Sequence, residues 1–420
     1  MKNTPKYWQK FKYEMIAKLE NLGPFQWFFT LSCADRRWDE NFSSLLADRD
    51  VKLDYKVTNE GTNKTTVKFI EDGQEETMEL REYLEEKVDE SEHEMIRTNV
   101  LNATRNFQHR VNAFIKEIIF GENNPMEITN LSYKVEFQGR GAGHIHGVLW
   151  AKLSKFEKQS ENLKVAFSKL RETQHLETGE RKELEDYVDK FITCSMNADK
   201  LSQKVSNGKK LMELAQEVQQ HSHTRTCHKY DDSCRFHKPT FPIKKTTIFQ
   251  KEINPDDTQA DKDVTKENPK LLNKVKELLD DKETINKIMT KYNKLEESAA
   301  EYKDNRDERI EELMKMAGAK YDEYLNALKS SVKQGYMILL ERDIDEGYIN
   351  AFNPEWLEAW GGNMDLQPCL DYFAVITYIT NYLTKDDTAV TAILREVVKK
   401  CGKDYKKRTN ASSYPYIPHT

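Results

Sequence analysis

The chain has 420 residues, with 65 Lys and Arg against 71 Asp and Glu and a formal net charge of −6. No apolar run of about 18 residues occurs, so no membrane-spanning helix is expected. Six cysteines are too few for a disulfide scaffold, and 16 Gly with 11 Pro exclude a low-complexity chain.

Residues 6–20 read as a short amphipathic helix that stops at Leu22-Gly23-Pro24. The opening Met1-Lys2-Asn3-Thr4-Pro5-Lys6 leads into no apolar stretch, so secretion is not expected and a reducing compartment, cytosol or nucleus, fits the cysteine usage. Phe25 to Ser32 is aromatic-rich and reads as a buried strand. Residues 60–95 combine an Asn/Gly/Thr stretch with an acidic run and read as solvated. From Glu71 to Met95 there are 12 acids and 2 bases. Val100, Phe107, Val111, Phe114 and Ile118 lie at helical spacing. Residues 130–138 alternate like a strand, 139–143 form a glycine-rich turn, and 144–150 return, so a hairpin is expected. Residues 151–220 read as charged and mostly helical, with 187–192 a candidate strand. Residues 221–242 read as a His/Cys-dense loop, 255–335 as polar helices, and 371–385 as a helix followed by a basic tail.

His144 and His146 are at i and i+2 on the returning strand, so both imidazoles share one face and make half a metal site. The preceding strand supplies a third ligand across the hairpin, with Gln138 preferred because it is nearer the turn and Glu136 the alternative. Such a set leaves positions open for substrate oxygens. By itself the pair reads as two histidines packed in a sheet and satisfied by backbone groups. Tyr378 and Tyr382 are i, i+4 on one helical face, joined by Lys385, and a phenol near a cation is a nucleophile for phosphorus. An ordinary core stripe has the same spacing. His221, His223, Cys227 and Cys234 make a tetrahedral zinc set. No G-x-x-x-x-G-K-[ST] occurs, so no ATPase of that type is expected. His221 to Lys251 carries 7 bases and 2 acids, and Lys385 to Asn410 carries 8 bases and 4 acids, so a nucleic-acid partner is compatible with the acidic total.

The order of these features resembles a known family. Phe28-Phe29-Thr30-Leu31-Ser32 with Trp38-Asp39-Glu40, then Glu136-Phe137-Gln138-Gly139-Arg140 through His144-Ile145-His146, then Cys234-Arg235-Phe236 with Phe241-Pro242, then Tyr348-Ile349-Asn350, Asn353-Pro354, Trp360, Asn363 to Gln367, Tyr378 and Tyr382 are similar to the motifs of Helitron transposase N-terminal domains. The resemblance covers about residues 25–390. It implies an α+β fold, an antiparallel-sheet HUH endonuclease core flanked by helices, here with a His/Cys zinc-binding insertion and helical insertions. It implies a metal-dependent single-stranded DNA nickase and strand transferase that works through a 5′-phosphotyrosine in rolling-circle transposition, with Mg2+ or Mn2+ as catalytic ion and Zn2+ as structural ion. Tyr378 and Tyr382 are then the nucleophiles, aided by Lys385, and Arg140, Arg235, Lys244 and Lys245 are candidate DNA contacts. A nuclear location is expected. Relatives continue into a helicase, so a helicase partner is expected from the rest of a longer protein or in trans. Gly143 stands where relatives often carry proline. The expected organisation is 1–220 for the first part of the core, 221–254 for the zinc segment, 255–340 for the charged helices and 341–420 for the tyrosine helix and basic tail. The other reading is a domesticated DNA-binding relic that no longer cuts.

Overall fold

A computed structural model describes residues 5–46, 51–57, 63–88, 91–122, 124–137, 142–153, 160–172, 175–224, 227, 234–250, 259–297, 304–332, 335–372, 374–376 and 378–379. By its internal contacts the chain divides into Pro24–Asp371 and a second unit of Met1–Gly23 with the segment from Tyr372 onward. In that second unit, Pro5–Leu22 is a helix whose Phe11, Met15 and Leu19 recur every fourth position and are buried. Residues 374–376 and 378–379 are helical, as expected for this stretch.

The larger unit is α+β. Its described strands are β1 (Trp27–Ser32), β2 (Lys52–Val57), β3 (Asn63–Glu71), β4 (Gln74–Glu79), β5 (Ile128–Phe137), β6 (Gly143–Ala151), β7 (Thr247–Gln250), β8 (Tyr336–Leu339) and β9 (Met364–Pro368). They form a four-stranded sheet in the order β5-β6-β1-β9, a three-stranded sheet β2-β3-β4 and a two-stranded sheet β7-β8. Every pairing is antiparallel. The expected hairpin is β5-β6, and β6 lies inside the sheet between β5 and β1.

Alternation along β6 separates two environments. Gly143, Ile145, Gly147 and Leu149 turn to one face, and His144 and His146 to the other. The first face is covered by an aromatic layer. Trp38 and Trp360 centroids lie 5.1 Å apart, Phe114 and Trp360 5.3 Å, Phe114 and Trp356 5.6 Å, and Phe29 and Trp356 6.1 Å. Edge-on contacts of this kind add to the large area these rings bury. The layer explains the glycines beside the histidines. A Cβ at Gly143 would sit 2.4 Å from the Phe107 ring, and one at Gly147 2.4 Å from the Phe29 ring. Only glycine admits so close an approach.

Hydrogen bonds fasten the end of β1 to this layer. Trp360 Nε1 donates to the Ser32 carbonyl at 2.9 Å, and Trp38 Nε1 donates to the Trp360 carbonyl at 3.1 Å. Arg110 Nη2 donates to the same Trp360 carbonyl at 2.9 Å, and the Arg110 guanidinium also pairs with Glu40. A cation at the C-terminus of helix Pro354–Trp360 suits the helix dipole. Asn353 caps the other end, accepting from Trp356 N at 3.0 Å, with Pro354 in the first turn.

Two expectations are corrected. Residues 187–192 do not form a strand. Thr178–Phe191 is a helix, with Leu184, Tyr187, Val188 and Phe191 buried at i, i+3, i+4 and i+7. The apolar cluster at its end is the last turn of a helical stripe. Residues 60–95 are not simply solvated. β3, β4 and the helices Leu80–Glu86 and Glu92–Thr98 enclose Phe42, Val67, Leu80, Leu84 and Met95. The acids of β4 face water, and the few apolar residues between them form the core.

The expected polar helices are present and enclose a core of their own. Gln259–Asp280, Lys282–Glu297, Arg306–Ala317 and Tyr321–Ser330 pack with β7 and β8 around Val275, Ile310, Leu313, Met314, Tyr324 and Leu328.

Candidate functional site

The second face of β6 carries the titratable residues. In register, Ser32 of β1 and Glu136 of β5 flank His144, while Thr30 and Lys134 flank His146. The imidazole centroids of His144 and His146 are 4.5 Å apart. His146 Nε2 lies 3.1 Å from Glu136 Oε2. His144 Nδ1 lies 2.9 Å from Ser32 Oγ. The Phe28 ring stacks at 6.5 Å from His146. The expected face-sharing of the two imidazoles is therefore present, and among the described residues the Glu136 carboxylate reaches His146. Gln138 and Arg140 lie outside the described residues.

Burial sets the charge of both rings. It pulls His144 down to about 4 from the ordinary 6.5. It pulls His146 down to about 3, with His144 as the second cause. Both are neutral at pH 7, so the contact with Glu136 is a hydrogen bond from a neutral imidazole rather than an ion pair. Neutral imidazole is the form that ligates metals. Two ring nitrogens with a carboxylate oxygen alongside suit a divalent cation that keeps open positions. With Nδ1 of His144 engaged by Ser32, its Nε2 is the nitrogen left for a ligand.

A second cluster lies in residues 221–234. The ligand atoms of His221, His223, Cys227 and Cys234 are all within 4.8 Å of one another. Cys227 Sγ is 3.5 Å from His223 Nδ1, and Cys234 Sγ is 3.4 Å from His221 Nε2. Bonds of about 2.3 Å to sulfur and about 2.0 Å to nitrogen, meeting at a tetrahedral angle, place the two atoms about 3.5 Å apart. The His223–Cys227 and His221–Cys234 pairs have that separation. Both thiols are buried. Backbone bonds brace the loop: Cys227 N donates to Thr224 O at 3.0 Å, Arg235 N to Cys227 O at 3.0 Å, and His221 N to Tyr348 O at 2.8 Å.

The two clusters are joined by backbone hydrogen bonds and by the side-chain pair of Asn363 and Gln219. Asn350 N donates to Gln219 O at 2.9 Å, Asn363 Nδ2 donates to Gln219 Oε1 at 2.9 Å, and Ser32 N donates to Asn363 O at 2.8 Å. A path of three bonded segments therefore runs from the His/Cys loop to the serine that holds His144.

The remaining expected residues fall in several places. Lys244 pairs with Glu311 and lies 4.3 Å over the Tyr321 ring, so it serves the helical body. Lys245 is exposed, and Arg235 lies 4.5 Å over the Phe236 ring. Tyr378 is 43% exposed. Tyr382 and Lys385 lie outside the described residues. Sequence reasoning missed Ser32 as a contact of His144. It also missed Arg36, Arg37 and Arg97, which line a groove beside Ser32 and Gly143. The signal available was the Arg36-Arg37 pair directly after the aromatic strand.

No helix among the described residues is long and apolar enough to cross a membrane. No curated protein and no solved structure matches the chain. Residues 1–149 match the family described as the Helitron helicase-like domain at the N-terminus. That span contains Ser32, Glu136, His144 and His146, whereas the His/Cys cluster and Tyr378 lie beyond it. Over residues 1–149, the chain is thus similar to a Helitron-type N-terminal domain.

Proposed function

We propose that this protein is an HUH-type nickase and strand transferase of the Helitron class, acting on single-stranded DNA. The observation that carries the reading is the His144/His146 pair on an inner antiparallel strand, both neutral, with the Glu136 carboxylate 3.1 Å from His146. His144, His146 and Glu136 would hold Mg2+ or Mn2+. When bound, such an ion supplies positive charge to the oxygens of a phosphodiester. With the ion on Nε2 of His144, its Nδ1–H would donate to Ser32 Oγ, which fixes the tautomer. A tyrosine, Tyr378 or Tyr382, forms the new O–P bond and loses its phenol proton. The P–O3′ bond breaks, and the departing 3′-oxygen takes up a proton. Bond energy is conserved in the phosphotyrosine, so cutting needs no nucleotide hydrolysis. Unwinding falls to a helicase, and the site of action is the nucleus. His221, His223, Cys227 and Cys234 hold a structural zinc in this reading.

Incubation with end-labelled single-stranded DNA in Mn2+ tests the activity. A covalent protein–DNA adduct is expected, and it should vanish in Tyr378→Phe/Tyr382→Phe. Adduct formation by the double variant would place the nucleophile elsewhere. A wild-type chain that binds the strand and never joins to it would favour an inactive DNA-binding relic.

Ser32→Ala is expected to weaken Mn2+ binding by about tenfold to a hundredfold, the usual cost of losing a partner that orients a ligand histidine. Calorimetric titration at pH 7 measures it. Since Ser32 is half-buried at the strand end, the melting temperature should barely move. An unchanged affinity would show that the hydrogen bond does not orient His144 for the ion.

A further inference from the structure

A groove of about 680 Å³ lies where β1 ends and β6 begins, with Ser32 and Gly143 in its wall. Its arginines come from two separate elements. Arg36 and Arg37 lie in the turn after β1, and Arg97 lies on helix Glu92–Thr98. Asp35 is the acid in the lining, and its Oδ1 accepts from Arg36 N at 3.0 Å, so it braces the turn. The partners of the other arginines are easily exchanged. Arg97 pairs with Glu94 at 2.6 Å, with side chains 65% and 40% exposed, and Arg37 pairs with Glu217, whose side chain is 61% exposed. Exposed pairs of this kind are worth little, whereas a phosphate accepts two parallel bonds from one guanidinium. The chain as a whole is acidic, and helix Glu92–Thr98 begins inside its most acidic stretch. The groove nevertheless gathers three arginines against one acid in its lining.

We propose that this groove is the binding track for the phosphodiester backbone of the single strand next to the bond that is cut, with Arg36 and Arg97 as the principal phosphate contacts. The inference rests on the reading above for the identity of the strand, and on the groove itself for the site. Ser32 lines the groove and its Oγ lies 2.9 Å from His144 Nδ1, so backbone held along Arg36 and Arg97 ends next to the imidazole pair. The arginines would then set affinity and the position of the cut, while the histidines serve the chemistry.

The test measures binding of a fluorescein-labelled oligodeoxythymidine to the full chain in EDTA over a series of salt concentrations. Each phosphate neutralised on a single strand contributes about −0.7 to the slope of log K against log salt. Arg36→Ala/Arg97→Ala should therefore flatten the slope by about 1.4 and weaken binding at low salt by about tenfold or more. Lys282→Ala/Lys287→Ala removes the same charge from an exposed helix of the helical body and should leave the slope nearly unchanged. Equal slopes in wild type and the arginine variant, or equal flattening in both variants, would overturn the proposal. A slope lost together with a large fall in melting temperature is resolved by Arg36→Gln/Arg97→Gln, which keeps polar side chains; the proposal requires the same flattening there. Omitting the divalent ion separates the two readings. An arginine-dependent slope without any adduct in Mn2+ sinks the nuclease and keeps the track. An adduct with an unaltered slope does the reverse.

Discussion

Replacing His144 and His146 together with alanine is expected to lower covalent adduct formation by about a thousandfold or more while sparing single-strand binding. A metal acting as a Lewis acid lowers a barrier by several kcal/mol, and each 1.4 kcal/mol or so is tenfold in rate. The imidazoles are not anchors of the strand in this scheme, so its affinity in EDTA should hold. His146 is almost fully buried, and alanine there leaves space behind the sheet, so a milder change, His144→Asn, provides the comparison with packing kept. Persistent adduct in both variants would remove the histidines from the mechanism.

The same pair makes an acid prediction with a definite sign. In the unfolded chain both histidines titrate near 6.5, and in the folded, metal-free protein near 4 and 3. As pH falls below 6.5, the unfolded state takes up protons first. The folded state therefore loses stability progressively from about pH 6.5 towards pH 4 and below, and has the full contribution above that window. Other buried groups, such as Asp189, shift upward to about 6 and act oppositely in part of this range. The difference between wild type and the double alanine variant isolates the histidines. Melting curves in EDTA at pH 7 and pH 5 should show the larger drop for wild type. Parallel drops would mean that the rings are not held neutral.

The second large effect is expected at the His/Cys cluster. Purified protein should carry about one tightly held zinc, and Cys227→Ser or Cys234→Ser should lose it and be destabilised by an amount on the order of several kcal/mol, because a structural ion's binding energy is folding energy. Metal analysis and thermal melting read the two quantities. The bonded path from His221 through Tyr348, Gln219 and Asn363 to Ser32 adds a consequence. Losing the zinc should also weaken Mn2+ binding at His144 and His146, more than an equally destabilising change in the helical body such as Leu313→Ala. Zinc content unchanged in Cys234→Ser would reject this ligand set.

The elements that carry local signals were legible from the residues alone. β1 is aromatic, β6 alternates, and the helix from Val100 has its apolar residues at helical spacing, because each pattern is dictated by the geometry of its own backbone. The pairing of His144 with His146 follows from strand periodicity, and the gathering of His221, His223, Cys227 and Cys234 follows from donors crowded into a short loop. Local pattern misled where an apolar cluster had two readings, as at 187–192, and where a dense acidic surface concealed a thin core, as at Val67 and Leu84. What only the tertiary structure decided are the partners across long separations. Ser32 meets His144 because β1 lies beside β6 in one register; a one-residue slip would put Ser32 on the aromatic face. Arg36 and Arg97 share a groove because helix Glu92–Thr98 packs back beside the end of β1. Such contacts depend on how distant strands align and pack, and no periodicity within a single segment encodes that alignment.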